Sequence, residues 1–213
     1  MLEITRLNEE HLEDAAVLVS SRYGRLLEQE PLLPHRYRDV SNLLPLLHNI
    51  HSAGPGVAAV RDGRLVGFLA GWLMPSFRGK RSAFSPEWAN AADLEDSQTI
   101  YEEMYSCLAA DWVADSFVAH YISLFANDPN AIRAWHWLSF GMLSVDAIRS
   151  LQPIEGVDAQ INIRRAKLQD LEQILTLNDE LRQYMKGPPV YFIAEELSES
   201  FFRGFIEAPG NVI

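Results

Sequence analysis

The chain has 213 residues, 48% hydrophobic and 22% charged, which is enough for one large domain or one and a half ordinary ones around a buried core. Its net charge of −11 repels a nucleic-acid backbone and suits a cationic or amine-bearing ligand, so no nucleic acid is expected as a partner. No apolar run approaches the roughly 20 residues a bilayer span needs, and the opening MLEITRLNEEH lacks the basic-then-apolar order of a signal peptide; the expectation is a cytoplasmic protein with no membrane partner.

In chain order, Leu2–Arg6 reads as a short strand and Glu9 to about Leu27 as a helix with Leu12, Ala15, Ala16, Val19 and Tyr23 on one face. Pro31 and Pro34 end it, and a second helix runs from about Arg38 to Ile50. His35, His48 and His51 have no cysteine or carboxylate at ligand spacing, so they read as surface or core histidines and no metal is expected. Next come Val57–Val60, then Arg61-Asp62-Gly63-Arg64, then Leu65–Trp72: an Asp-Gly step between two apolar runs is a hairpin signature. Gly67 and Gly71 thin the second strand where a helix or a ligand can approach.

Further on, Ile100–Asp115 reads as a helix with Tyr101, Met104, Tyr105, Leu108 and Trp112 on one side. The one cysteine, Cys107, lies in this stretch and is expected in the core; it has no internal disulfide partner, which fits a reducing compartment. Val118–Ala126 reads as a buried strand, Asn127-Asp-Pro-Asn130 as a turn, and Asp128 or Asn130 as the cap of a helix reaching Leu138. Leu143–Leu151 closes the unit as a final strand. Trp72, Trp88, Trp112, Trp135 and Trp137 read mainly as core, Trp88 being the one best suited to line a cleft.

LEITRLNEEHLEDAAVL (2–18) overlies INIRRAKLQDLEQILTL (161–177) at a constant offset of 159, matching Ile4 with Ile163, Arg6 with Arg165 and Leu12 with Leu171. Both copies read as strand, turn and amphipathic helix, and Pro55-Gly56 before Val57 has a counterpart in Pro209-Gly210 before Val212. The expectation is a domain over 1–155, a linker over 156–160, and the incomplete start of a second repeat over 161–213.

Two stretches compete as a phosphate-cradling loop. Phe77-Arg78-Gly79-Lys80 is followed by an extended run and Pro86, so no long helix starts there and it reads as a basic surface turn, with Arg78, Lys80 and Arg81 able to meet a phosphate from the side. Pro86-Glu87-Trp88 precedes Ala89-Asn90-Ala91-Ala92 and is expected to lie at the approach to the helix; Asp93, Glu95 and Asp96 then stand at the helix mouth, where they favour the helix dipole and repel an anion.

This order, with the VAAVRDGRLVGFLAG hairpin, the Pro86-Glu87-Trp88 step and Asn127…Ala131…Trp135…Phe140, resembles the GCN5-related N-acetyltransferase (GNAT) superfamily over about residues 2–150. The resemblance implies an α/β (α+β) acyl-CoA N-acyltransferase fold, a central mixed, mostly antiparallel sheet flanked by helices. It also implies acetyl-CoA as cofactor, a small-molecule or peptide amine as acceptor, and a tandem arrangement with a degenerate first domain; a homo-oligomer is allowed. Carried over, the cofactor-binding positions are Phe84, Ser85, Trp88, Ala89, Asn90, Ala91, Ala92, Asn127 and Trp135. The family's pattern like Pro-x-Tyr-Arg-Gly-x-Gly-x-Gly has lost its glycines here, and Trp135 falls where the family often has an acidic tyrosine; an indole N–H is no general acid. Glu87 and His120 remain as candidate catalytic bases. Two readings follow: an acetyl-CoA-dependent N-acetyltransferase, or a catalytically inactive half of that fold serving as a structural, regulatory or ligand-binding domain.

Overall fold

The computed structural model describes residues 1–153, 164–188, 190–192, 194 and 196–211. It divides into two units, Met1–Leu151 and Gln152–Ile213.

In the first unit, β1 (Leu2–Arg6), β2 (Gly56–Arg61), β3 (Arg64–Ala70) and β6 (Asn90–Ala92) form an antiparallel sheet in the order β1-β2-β3-β6. A second sheet has the order β4-β5-β7, from β4 (Trp72–Phe77), β5 (Lys80–Ser85) and β7 (Ala119–Ile122); β4 and β5 are antiparallel, and β5 and β7 are parallel. Only Gly71 separates β3 from β4 and only Pro86–Ala89 separates β5 from β6, so β3–β4 and β5–β6 are the arms of one long bent hairpin. Its tip is Arg78-Gly79, with φ of 54° and 73°; Asp62-Gly63, with φ of 52° and 77°, closes β2 onto β3 in the same way. Two successive left-handed residues are what a two-residue hairpin turn requires. FRGK is therefore the turn joining β4 to β5.

Strand alternation sends side chains to both faces of the first sheet. Ala58, Phe68 and Ala70 pack with Leu12, Ala15, Val19 and Tyr23 of α1 (Leu12–Gln29) and Leu43, Leu47 and Ile50 of α2 (Val40–Ala53). Val57, Ala59 and Leu69 pack with Ile100, Met104, Leu108 and Trp112 of α3 (Ser97–Ala114) and with Trp135 of α4 (Pro129–Trp137). Asp39 caps α2 by accepting from the Ser41 amide at 2.9 Å, and Asp128 caps α4 by accepting from the Ala131 amide at 3.1 Å.

Three expectations need correction. Cys107 is exposed, because it falls off the stripe of Ile100, Tyr101, Met104, Leu108 and Trp112 that α3 buries. Trp137 is 67% exposed on the outer side of α4, while Trp112 and Trp135 are fully buried. No strand forms over Leu143–Leu151: Leu143, Val145, Ile148 and Leu151 are exposed, and β7 is the last strand of its sheet. A strand without a neighbour leaves its backbone groups unpaired, so apolar residues alone do not make one.

In the second unit the described elements are a helical turn at Leu168–Asp170, α5 (Leu171–Lys186) and α6 (Glu199–Glu207). The turn and α5 begin 159 residues after the turn at Glu9–His11 and α1. In each copy the N3 side chain accepts from the N-cap amide: His11 Nδ1 from Asn8 at 3.3 Å, and Asp170 Oδ2 from Lys167 at 2.8 Å. The linker at 156–160, most of the expected strand from Ile161 and the position of Val212 lie outside the described residues. No described helix is long and apolar enough to cross a membrane.

Candidate active site

The site is built where the bent hairpin is interrupted. The last rung of the parallel ladder is the Ser123 amide donating to the Ser85 carbonyl at 2.8 Å; Pro86 follows, a residue with no amide to donate. The chain turns through an Ala89 amide to Pro86 carbonyl bond of 2.9 Å and resumes pairing with β3 at the Ala70 amide to Ala89 carbonyl bond, also 2.9 Å. Pro86–Ala89 is thus a bulge, and beyond it β6 no longer pairs with β7.

Buried polar side chains fill the gap. The Asn90 amide nitrogen donates to the Pro86 carbonyl at 2.9 Å, to Ser85 Oγ at 3.3 Å and to the Ser123 carbonyl at 3.4 Å, so it ties β5 to the chain beyond β7. From α1, the guanidinium of Arg22 donates to the Glu87 carbonyl at 2.5 Å, to the Asn90 carbonyl at 2.8 Å and to Tyr101 Oη at 3.1 Å. Arg22 is buried, with Asp128 as its ionic partner. The bulge carbonyls therefore find donors that the strand ladder cannot supply.

Glu87 projects from this bulge. Tyr37 Oη donates to Glu87 Oε1 at 3.1 Å. Burial, and then the Glu87 carboxylate, push the Tyr37 phenol up to about 12, so it stays a donor at neutral pH. Tyr23, hydrogen-bonded to the Pro34 carbonyl, packs edge-on against Tyr37 at 5.4 Å and meets Phe125 at 5.2 Å. Trp72 lies 5.5 Å from Trp88 and 6.1 Å from Phe84. A half-buried carboxylate is thus bonded to Tyr37, one of a set of aromatic rings of which Tyr23, Tyr37 and Trp88 are buried.

His120 is placed differently. Its Nε2 lies 2.9 Å from the Phe117 carbonyl, which can only accept, so Nε2 carries the proton and Nδ1 accepts from Tyr105 Oη at 2.8 Å in the neutral ring. The ring packs against Trp112 and Tyr105 of α3. Its lone pair is engaged inside the protein, on contacts separate from those of Glu87. Trp135 is buried between Tyr101, Tyr105 and Phe140, and its Nε1 meets no acceptor among the described residues. Asn127 donates to the Leu26 carbonyl at the end of α1 at 3.3 Å.

The expected loop over Ala89–Ala92 is corrected by the strand found there. Asn90–Ala92 pair with Leu69, Phe68 and Gly67, and Ala89, Asn90, Ala91 and Ala92 are buried. The mouth of α3 is four residues further on, at Asp93–Asp96. There Asp93 pairs with Arg64, and Asp96 accepts from Arg61 at 2.9 Å and from Thr99 Oγ1 at 2.6 Å. The Thr99 hydroxyl and, less strongly, Arg61 hold the Asp96 carboxyl below its usual range. A pyrophosphate at a helix mouth needs free amides and positive charge. Carboxylates already stand there, Glu95 adds another, and the gap between β6 and β7 is packed with Asn90 and Arg22. The residues present do not fit the pyrophosphate of acetyl-CoA at the mouth of α3.

Solved structures share this architecture. The ribosomal-protein-alanine N-acetyltransferase from Brucella melitensis biovar Abortus 2308 is 16% identical, with 70% of this chain and 100% of that one covered at a TM-score of 0.50. The aminoglycoside N-acetyltransferase AAC(6')-Iy in complex with CoA is 13% identical, with 71% and 96% covered at a TM-score of 0.51. A transcriptional regulator from Bacillus halodurans C-125 is 16% identical, with 70% and 99% covered at a TM-score of 0.50. The fold is that of the GNAT acyl-CoA N-acyltransferases. At these identities the likeness is one of fold. No family model and no curated protein matches the chain. Against the sequence expectation for the GNAT fold, the residues missed were Arg22 and Tyr37. Arg22 had a signal, since it lies on the apolar stripe of α1 between Val19 and Leu26; Tyr37, in a Pro-bounded turn, had none.

Proposed function

We propose that the chain serves acetyl transfer to an amine acceptor, a small molecule or a peptide amine, with Glu87 as the proton-accepting side chain. The observation that carries this reading is the Tyr37–Glu87 pair at 3.1 Å on the hairpin bulge, in a fold shared with N-acetyltransferases. An acceptor arrives as an ammonium ion; the Glu87 carboxylate attracts it and takes up its proton, while Tyr37 orients the carboxylate by donating to one oxygen. The net charge of −11 raises the local concentration of cations around such a site. Acetyl-CoA would supply the acetyl group, its pyrophosphate held by groups other than the mouth of α3. His120, with its lone pair on Tyr105, is the weaker base candidate.

Acetylation of a panel of polyamines, aminoglycosides and peptide N-termini tests this. Activity that Glu87→Gln lowers by about 10²-fold or more supports it. Activity unchanged in Glu87→Gln removes Glu87 from the mechanism.

A second reading is favoured by the carboxylates at Asp93–Asp96: Met1–Leu151 as a non-catalytic half of a tandem protein, structural, regulatory or ligand-binding. The shared register of Glu9–His11 with α1 and Leu168–Asp170 with α5 supports a repeat whose second copy opens near 161. Calorimetric titration of acetyl-CoA separates the two, since no heat at sub-millimolar ligand favours the non-catalytic half. A cytoplasmic location goes with both readings, on the single unpaired cysteine.

A further inference from the structure

The outer face of α4 carries a groove that neither reading uses. Pro129, Ile132, Arg133, His136 and Trp137 stand at i, i+3, i+4, i+7 and i+8, on one side of the helix opposite the buried Ala131, Ala134 and Trp135. With Ala126 they line an open depression of about 560 Å³. Trp137 is 67% exposed and makes no ring contact among the described residues. Arg133 and His136 are exposed, and their side chains form no ion pair or hydrogen bond among the described residues. The sequence PNAIRAWHW contains no carboxylate, although the chain as a whole carries −11. The nearest acid in sequence, Asp128, is turned inward onto Arg22 and the Ala131 amide.

We infer that this groove binds a nucleotide, the base stacked on Trp137 and the phosphate held by Arg133 and His136. The chemistry selects this occupant. An exposed indole offers a flat face to a base. A guanidinium one helical turn away, at i−4, offers paired donors to a phosphate. A nine-residue helix is only about 13 Å long, too short to present the roughly 800 Å² per partner of a stable protein interface. Two sources share this chemistry: a free adenine nucleotide, and the nucleotide end of coenzyme A. Only the second rests on the acetyl-transfer reading.

Fluorescence and calorimetric titration of the full chain with ADP, coenzyme A and inorganic phosphate tests the inference. ADP is expected to quench the emission of the exposed tryptophan and to bind at least tenfold more tightly than phosphate. Trp137→Ala and Arg133→Glu, both at exposed positions, are each expected to weaken ADP binding by roughly tenfold or more, the loss of about one stacking or charged contact. Circular dichroism of the variants should be unchanged. Binding of ADP and coenzyme A through the same two residues supports the site with the coenzyme as a source; binding of ADP alone supports it with a free nucleotide. No ADP binding at millimolar ligand, equal binding of phosphate, binding of coenzyme A without ADP, or ADP binding indifferent to both variants overturns it. So does a Trp137-dependent dimer with no nucleotide affinity. Because acetylation is not the readout, failure here leaves the Glu87 test standing, and failure of that test leaves this one standing.

Discussion

Arg22 and Asp128 form an ion pair at 3.8 Å with side chains only 5% and 10% exposed, joining the middle of α1 to the N-cap of α4. Each is also committed elsewhere: Arg22 to the carbonyls of Glu87 and Asn90, Asp128 to the amide of Ala131. One side of the sheet is thereby fastened to the other through the bulge that presents Glu87.

Removing one partner of such a pair strands the other charge in a buried place. Arg22→Met is expected to destabilise the chain by about 3–5 kcal/mol, measured by urea denaturation. Arg22→Lys should recover little, because an ammonium cannot reach both carbonyls in the geometry of the guanidinium fork. Adding Asp128→Asn to Arg22→Met should restore part of the loss, since the amide oxygen still caps α4 while the buried charge is gone. A double variant no more stable than Arg22→Met would mean that the carbonyls, and not the charge, dominate.

What the sequence makes legible here follows the range of the interaction that decides each element. Asp62-Gly63 is read from two residues, and α4 from Asp128 and Pro129, because turns and caps are local chemistry. The stripe of Leu12, Ala15, Ala16 and Val19 reveals α1 through its period. Asn90–Ala92 is illegible as a strand: alanine and asparagine have little strand preference, and it is the rungs to Leu69, Phe68 and Gly67, more than 20 residues away, that make it one. The same dependence on long-range pairing turned Leu143–Leu151 from an expected strand into an exposed segment. For the candidate site, Glu87 is legible as a carboxylate at a Pro-marked break, but its partner Tyr37 lies 50 residues away across the fold.

Tyr37 gives the site a signature at high pH. Burial, and then Glu87, raise its phenol from the usual 10.0 to about 12. Its contribution to stability is therefore complete below about pH 10 and is lost as pH rises toward 12. Ultraviolet titration should show a late-ionising tyrosine that is absent in Tyr37→Phe and that shifts to lower pH in Glu87→Gln, where the charge opposing ionisation is gone. A titration identical in Glu87→Gln would show that burial alone holds the phenol up.

The acidic mouth of α3 is testable by neutralising it. In Asp93→Asn/Asp96→Asn, Arg61 and Arg64 lose their carboxylate partners and face the helix N-terminus, so an anion meets donors and positive charge where carboxylates stood. Asparagine tolerates the φ of 63° at position 96, and exposed ion pairs contribute little, so the fold should hold. Inorganic pyrophosphate is expected to raise Tm in the double variant and not in the parent chain. An equal rise in both would show that the carboxylates do not bar an anion.

Gly67 marks where α3 closes on the sheet. A Cβ at this position would fall 2.5 Å from Ile100 Cγ2, 3.2 Å from the Ala91 carbonyl oxygen and 3.2 Å from Met104 Cε. Ile100 and Met104 are fully buried, so neither side chain can turn into solvent to make room. The backbone carbonyl of β6 cannot yield without breaking the β3–β6 ladder. Gly67→Ala should therefore cost about 1–3 kcal/mol, read as a fall in the urea midpoint at constant m-value. Gly67→Ala/Ile100→Leu takes away the β-branch methyl Cγ2 that the new Cβ meets and should recover part of that loss. Full stability in Gly67→Ala alone would mean that α3 can ride outward on the sheet, and that the thinning of β3 at Gly67 is not what lets the helix sit so close to the strand.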